Sequence, residues 1–150
     1  MSEKIKGKGR LESRPLSLFQ VYGLAMLLLF PGVVLFQVTG EVGSERGRLV
    51  LGIGLLALQL FTYFQTRSDK RKARDEELRT PESVLHALEF FGGWPAGFVA
   101  QRRFRHKTAK KEYQAIFWLI VLSHQLLALS FLFRERLGLA ALFDRMFALV

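Results

Sequence analysis

The chain contains no cysteine, and this absence excludes several classes of function. Without cysteine, its 150 residues cannot form a disulfide framework, a thiolate metal site or a thiol nucleophile. Acidic residues are also few, because 13 Asp and Glu stand against 22 Lys and Arg, and the formal net charge is +9. In a soluble protein this excess suggests nucleic-acid binding, whereas beside membrane spans it is typical of cytoplasmic loops that face anionic lipid.

Three apolar segments predict an all-α integral membrane protein. Segments 16–38, 49–64 and 115–133 contain no Asp, Glu, Lys or Arg. The first and third have the length of about 20 residues that a helix needs to cross a hydrocarbon layer of roughly 30 Å, and the second is a shorter span. We expect 16–38 to be an uncleaved span, because it is longer than the apolar part of a signal peptide.

The remaining segments complete the predicted domain organisation. Residues 1–15 are basic and poor in apolar groups, so they predict a mobile tail. Residues 16–150 then form a single membrane domain. Its last segment, 137–150, is interrupted by Asp144 and Arg145 and predicts an amphipathic helix at the membrane interface.

The segment 81–104 is the unusual element of the chain. It consists of two short apolar stretches separated by Gly92, Gly93, Trp94 and Pro95. Glycine frees the backbone, proline cannot donate a hydrogen bond, and a residue before proline avoids helical torsions. Each half is about 15 Å long and crosses only half of the hydrocarbon. The pattern predicts a broken helical hairpin that either re-enters the membrane or lies at its surface.

The charge distribution favours a hairpin over a full span. If segment 81–104 turns back, the tail, residues 66–79 and residues 102–111 share one side, which then holds 17 of the 22 Lys and Arg. The preference of Lys and Arg for cytoplasmic loops places this side and the N-terminus in the cytoplasm.

Residues 66–79 alternate in charge and predict a solvated helical segment. The cluster after the hairpin is expected to bind lipid phosphates or an acidic partner; it comprises Arg102, Arg103, Arg105, His106, Lys107, Lys110 and Lys111.

A helix is expected to start at the beginning of this segment, with Thr80 as N-cap and Pro81 as its first residue. Glu82, His86 and Glu89 then follow at spacings that place them on one stripe of the helix. Such a stripe could bind a divalent metal or hold a general acid beside a base. The simpler interpretation is the polar face of an amphipathic helix at the interface, and no metal is predicted from this pattern alone.

Polar residues inside the third span are further candidates. His124 and Gln125 lie near its middle, where polar side chains mark function by default. Hydrogen bonds between helices are the commoner role of such residues.

The first span contains Pro31, which has no N–H and so leaves one backbone carbonyl of its helix without a donor. Membrane helices tolerate such a carbonyl when a neighbouring helix supplies a donor.

Together these motifs resemble a known family. The residues that carry the resemblance are Asp69, Lys70, Arg71, Arg79, Pro81 and Glu82, with Gly92, Gly93, Trp94 and Pro95. The chain is similar to the bacterial domain-of-unknown-function 1294 family of small inner-membrane proteins over about residues 63–127. The resemblance implies a location in the bacterial inner membrane. Some relatives carry a cold-shock domain that binds nucleic acid.

Three functions remain open at this point. The first is a binding or scaffold protein whose basic cluster contacts anionic headgroups or an acidic protein, with a membrane-protein partner or a second copy as further partners. The second is a membrane-embedded enzyme that uses the stripe at Glu82, His86 and Glu89 on a phosphate-bearing lipid. The third is a membrane-tethered protein that binds nucleic acid, which rests on the family resemblance alone. The sequence predicts no cofactor.

Overall fold

The computed structural model describes residues 13–41 and 44–134, and every regular element in these ranges is a helix. The predicted tail lies almost entirely outside the described residues, and the predicted interfacial helix 137–150 lies wholly outside them. The all-helical fold is confirmed. In chain order the elements are α1 Leu18–Glu41, α2 Glu45–Arg74, α3 Glu82–Leu88, a π-helical turn Glu89–Gly93, α4 Trp94–Arg103 and α5 Lys111–Leu132.

Three of these helices, α1, α2 and α5, are long and apolar enough to cross a membrane. Each covers one predicted span over almost its whole length, which fits the predicted multi-pass architecture. The second differs in length, because α2 continues as a helix to Arg74, ten residues past the predicted end of the span. Thr66 and Asp69, in this extension, are fully buried. The segment predicted as solvated therefore packs, along one face, against the rest of the protein.

Helices α1 and α5 are joined by a hydrogen bond at the position of Pro31. The side-chain Nε2 of Gln125 donates to the backbone carbonyl of Leu27 at 2.7 Å. That carbonyl lies four residues before Pro31, so it is the one that the proline leaves without a donor. His124 instead contacts the carbonyl of Ile120 in its own helix, at 2.8 Å. Of the two polar residues near the middle of α5, Gln125 therefore forms the hydrogen bond between helices that we expect for such residues.

Helix α3 starts one residue later than predicted. It begins at Glu82, and Pro81 occupies the N-cap position without a side-chain hydrogen bond. Thr80 does not cap the helix. Its backbone N–H donates to Asp69 Oδ1 at 2.9 Å, so this residue attaches the start of the helix to α2.

The backbone breaks at Gly92, which has a φ of 104° that residues with a side chain rarely adopt. Gly93 packs so closely against Thr62 and the Leu88 carbonyl that a Cβ would overlap both. Gln59 of α2 satisfies the polar groups of the break. Its Nε2 donates to the Gly92 carbonyl at 2.8 Å, and its Oε1 accepts from the backbone N–H of the residue after Pro95 at 3.1 Å.

The chain reverses direction at this break, because both ends of the segment meet at the same residue of α2. Asp69 contacts Thr80 before the segment and His106 after it. Gln59, at the break, lies about 15 Å along α2 from Asp69. The hairpin therefore reaches from the charged end of α2 to the level of the apolar segment 49–64. Its position relative to a membrane stays a prediction.

An apolar core holds the hairpin against α5. Its members come from α3, α4 and α5, and all are almost fully buried. Burying side chains of this size contributes about 1.5–3 kcal/mol each. The core consists of Leu85, Trp94, Phe98, Tyr113, Phe117 and Val121.

Candidate functional site

A cavity of about 800 Å³ lies at the open end of the hairpin, and we call it the basic cavity. Its walls come from the segment before α1, the charged end of α2 with the loop that follows, the end of α4, and the loop before α5. Glu82 and His106 also line it. Three basic segments that are far apart in sequence thus meet in one place. The cations in the wall are Arg14, Lys70, Arg74, Arg79, Arg103, Arg105, Lys107 and Lys110.

Asp69 holds two walls of the basic cavity together. Its carboxylate is fully buried, and Oδ2 accepts a hydrogen bond of 2.7 Å from Nε2 of His106. Nζ of Lys107 lies 3.4 Å from the same oxygen. Burial lowers the pKa of His106 below its ordinary value of 6.5, although the adjacent carboxylate acts in the opposite direction. The imidazole is therefore neutral at pH 7 and donates from Nε2.

The loop that follows α4 has an unusual backbone. Arg105 and Lys107 have φ values of 47° and 57°, in the left-handed region that favours glycine. Arg105 follows the C-cap residue of α4, Phe104, and two hydrogen bonds close this end of the helix, from His106 N–H to Gln101 O at 2.8 Å and from Arg105 N–H to Arg102 O at 3.3 Å. Glycine is the usual residue at this position. An arginine there costs roughly 1–2 kcal/mol, and such strain is concentrated at functional sites.

Two of the lysines in the basic cavity are compensated by acidic side chains. Lys110 Nζ lies 2.9 Å from both oxygens of Glu82, and Lys107 Nζ lies 3.1 Å from Oε1. The hydrogen bond from Lys110 lowers the pKa of Glu82, so this carboxylate is charged. In residues 13–41 and 44–134, by contrast, no carboxylate forms an ion pair with Arg14, Lys70, Arg79, Arg103 or Arg105.

Five of the seven predicted anion-binding residues line the basic cavity, and two lie elsewhere. The guanidinium of Arg102 is 3.5 Å from the centre of the Phe98 ring, one helical turn earlier, and Lys111 is exposed at the start of α5. The five predicted residues in the wall are Arg103, Arg105, His106, Lys107 and Lys110.

Sequence reasoning missed the contribution of the segment predicted as solvated. Lys70 and Arg79 of that segment line the cavity. A signal was present, because Thr62, Thr66 and Asp69 recur at i, i+4 and i+7, and these three are the buried residues of α2. Small polar residues at helical spacing mark the face of a membrane helix that another element approaches closely.

A second group of polar side chains, the polar cluster, lies inside the hairpin. Its centre is Glu89, which is fully buried. Oε1 accepts from Gln101 Nε2 and from the hydroxyl of Tyr113, both at 2.9 Å, and Oε2 contacts Nδ1 of His86 at 2.9 Å. Gly97 leaves the space for this carboxylate, since a Cβ there would lie 3.0 Å from Oε1. The cluster joins α3, α4 and α5.

The three residues of the predicted stripe do not converge. Glu82 contacts the lysines of the basic cavity, whereas His86 and Glu89 belong to the polar cluster. Within the described ranges no group of three or more His, Asp or Glu has an arrangement that could hold a metal ion. The His86 ring stacks on Tyr113 with ring centres 4.2 Å apart, and its buried Nε2 has no hydrogen-bond partner among the described residues. The cluster fits an internal contact between helices.

Comparison with known proteins identifies one family. A search of curated proteins and a search of solved structures found no match. The family described as "Protein of unknown function (DUF1294)" matches residues 59–113. This range contains Gln59 at the hairpin break, Asp69 beneath the basic cavity, and the Tyr113 hydroxyl of the polar cluster. The resemblance predicted from the motifs is confirmed for residues 59–113, the part of the chain that the family model matches.

Proposed function

We propose that this protein binds an anionic membrane lipid, with the phosphate of the lipid in the basic cavity. The observation that carries the proposal is a group of five cations around one cavity at the charged end of α2, none of which pairs with a carboxylate among residues 13–41 and 44–134. Phosphate oxygens are strong acceptors for guanidinium groups, which can donate two parallel hydrogen bonds to them. The protein then acts as a binding or scaffold protein of the membrane.

The surroundings of the basic cavity favour a lipid over a soluble acidic partner. The N–H of Arg14 donates to the carbonyl of Arg103 at 2.9 Å, so the chain passes directly from the cavity into α1. The first residues of that helix, Leu18 and Phe19, are 75% and 87% exposed. A lipid with its phosphate in the cavity would place its acyl chains beside such apolar side chains, which gains free energy for each buried methylene.

The basic cavity belongs, in this proposal, on the cytoplasmic face of a bacterial inner membrane. Its cations come from the three basic segments that hold 17 of the 22 Lys and Arg, and short loops rich in these residues stay in the cytoplasm. Single cysteines at Ser44 and Ala109 test this, because the chain has no other cysteine. A membrane-impermeant thiol reagent added to intact cells should label the cysteine at Ser44 and leave the one at Ala109 unlabelled. The reverse pattern would contradict the orientation.

Lipid binding is tested with purified protein in a neutral detergent. Native mass spectrometry can count bound molecules of dioctanoyl phosphatidylglycerol and of zwitterionic dioctanoyl phosphatidylcholine. We expect the anionic lipid to bind more tightly. The double variant Lys70→Gln/Arg103→Gln should weaken it roughly a hundredfold, since two charge-assisted hydrogen bonds of about 1.5 kcal/mol each are lost.

The matched control is Arg67→Gln/Lys111→Gln. It removes the same charge from exposed positions that do not line the cavity, and it should leave the affinity nearly unchanged. Equal loss in the two double variants would show general attraction to a basic surface and would contradict a site. Binding of a single-stranded oligonucleotide or an acidic peptide, with no preference for anionic lipid, would replace the proposal by one of the other partners.

A further inference from the structure

We infer that the basic cavity selects phosphate groups with at least two negative charges, as in a lipid phosphomonoester or diphosphate, over the singly charged phosphodiester of common anionic lipids. This inference rests on the proposed function and specifies the class of ligand. It follows from the number of cations, the kind of cations and the size of the cavity.

The number of cations exceeds what one negative charge can compensate. Glu82 and Asp69 already contact the two lysines that they pair with, so these four groups are close to neutral together. The five other cations, Arg14, Lys70, Arg79, Arg103 and Arg105, have no carboxylate partner within the described residues. A phosphodiester leaves most of this charge uncompensated, whereas a phosphomonoester carries about −1.5 to −2 at pH 7. Binding is therefore more favourable for the more highly charged group.

The kind of cation points in the same direction. Four of these five side chains are arginines, and a guanidinium donates in a planar fork to two oxygens at once. A phosphodiester has two non-bridging oxygens, whereas a monoester has three terminal oxygens. The monoester thus provides acceptors for more of the forks without distortion. Arg105 is held in the cavity wall in spite of an unfavourable φ of 47°, as expected where a charge is needed at a fixed position.

The size of the basic cavity agrees with a headgroup larger than a single phosphate. Its volume of about 800 Å³ lies within the range of about 300–1,000 Å³ typical of small-molecule sites. A diphosphate, or a phosphate with part of its glycerol, fits this volume. Water-soluble phosphates share this chemistry, so the experiment must separate the two sources.

The test compares three probes on the full-length protein in detergent: dioctanoyl phosphatidic acid, dioctanoyl phosphatidylglycerol and inorganic diphosphate. At pH 7.5 we expect phosphatidic acid to bind at least about tenfold more tightly than phosphatidylglycerol, as one further charge-assisted hydrogen bond allows. The preference should shrink at pH 5, because the second ionisation of a phosphomonoester lies near pH 6. Phosphatidylglycerol does not change charge in this range, so its affinity reports any titration of the protein itself.

Variants connect the preference to the cavity. Arg79→Gln/Arg105→Gln should reduce the ratio of the two lipid affinities, and the control Arg67→Gln/Lys111→Gln should preserve it. Circular dichroism checks that each variant keeps its helices. If Arg79→Gln/Arg105→Gln does not fold, the selectivity for a doubly charged phosphate is still tested by the pH dependence of the ratio of the two lipid affinities in the wild type.

Each outcome has a distinct meaning. Equal affinity for the two lipids at pH 7.5 would overturn the selectivity and leave the proposed function standing. No binding of either lipid would overturn the proposed function itself. Diphosphate that displaces phosphatidic acid would support a shared phosphate site, whereas diphosphate that binds while neither lipid does would make the ligand a soluble anion.

Discussion

The carboxylate of Asp69 and the imidazole of His106, 37 positions apart in sequence, are joined by a hydrogen bond of 2.7 Å. The same carboxylate accepts the backbone N–H of Thr80 at 2.9 Å. One side chain thus fixes both ends of the hairpin to α2. In Asp69→Ala, two hydrogen bonds to a buried acceptor are lost, and we expect the free energy of unfolding to fall by about 3 kcal/mol.

Thermal unfolding in detergent, followed by circular dichroism, measures this loss. Glu77→Ala is the matched control, because it removes a carboxylate that is exposed on the loop after α2, where substitutions usually change stability by less than about 0.5 kcal/mol. Equal effects of the two substitutions would show that Asp69 does not hold the hairpin.

His106 predicts a dependence of stability on pH. Burial lowers its pKa below the ordinary 6.5, so between the two pKa values the unfolded chain binds more protons than the folded protein. Stability therefore rises with pH in this window. The contribution of the neutral His106 side chain to the free energy of unfolding is complete above pH 6.5, and it is lost as the pH falls through the pKa that His106 has in the folded protein.

The measurement is the unfolding temperature in detergent from pH 8 to pH 5, in the wild type and in His106→Gln. The wild type should lose stability below pH 6.5, and the variant, which has no titrating group at this position, should lose less. An identical decrease in both proteins would assign the effect to other groups.

The features that follow from local composition could be predicted from the sequence. Charge-free segments of about 20 residues are apolar enough to span a membrane whatever their neighbours are, and α1 and α5 cover all but one or two residues of the predicted spans. Glycine and proline act on their own backbone, so the interruption at Gly92 follows from the sequence around Pro95.

The composition of the basic cavity could not be predicted in the same way. Which cations share a wall depends on the contact between α2 and the hairpin, and this depends on the buried side chains of Thr62 and Asp69. Arg102 directly precedes Arg103 in the sequence, yet it packs on Phe98 while Arg103 lines the cavity. Adjacent helical residues point in directions about 100° apart, so a basic run divides between two surfaces.

Replacing Arg105 should change the stability of the protein and its affinity for lipid in opposite directions. Its φ of 47° favours glycine, so Arg105→Gly should raise the unfolding free energy by about 1 kcal/mol. The same substitution removes a cation from the basic cavity and should weaken anionic lipid binding about tenfold, since one charge-assisted hydrogen bond is lost. Unfolding and lipid titration of the same sample measure both effects. A variant that is less stable, or that binds lipid as the wild type does, would contradict the role given to this residue.

Two glycines of different environment predict opposite effects of the same substitution. Gly92→Ala places a side chain at φ 104° and should destabilise the protein by about 1–2 kcal/mol. Gly54 lies in the middle of α2, with nothing near the position of a Cβ, so Gly54→Ala should stabilise it by roughly 0.5–1 kcal/mol. Unfolding temperatures of the two variants in one detergent test this, and changes of the same sign would contradict it.

The contact between Gln125 and Leu27 predicts a coupling with Pro31. Gln125→Leu leaves the Leu27 carbonyl without a donor, because Pro31 has no N–H to offer, and the cost of such an unsatisfied group is about 1–3 kcal/mol. In a Pro31→Ala background the alanine N–H can bond this carbonyl within α1, so the same Gln125→Leu should then cost much less. A double-mutant cycle on unfolding free energies isolates this term. If Gln125→Leu costs as much beside alanine as beside proline, the glutamine contributes through packing and not through the carbonyl that the proline leaves free.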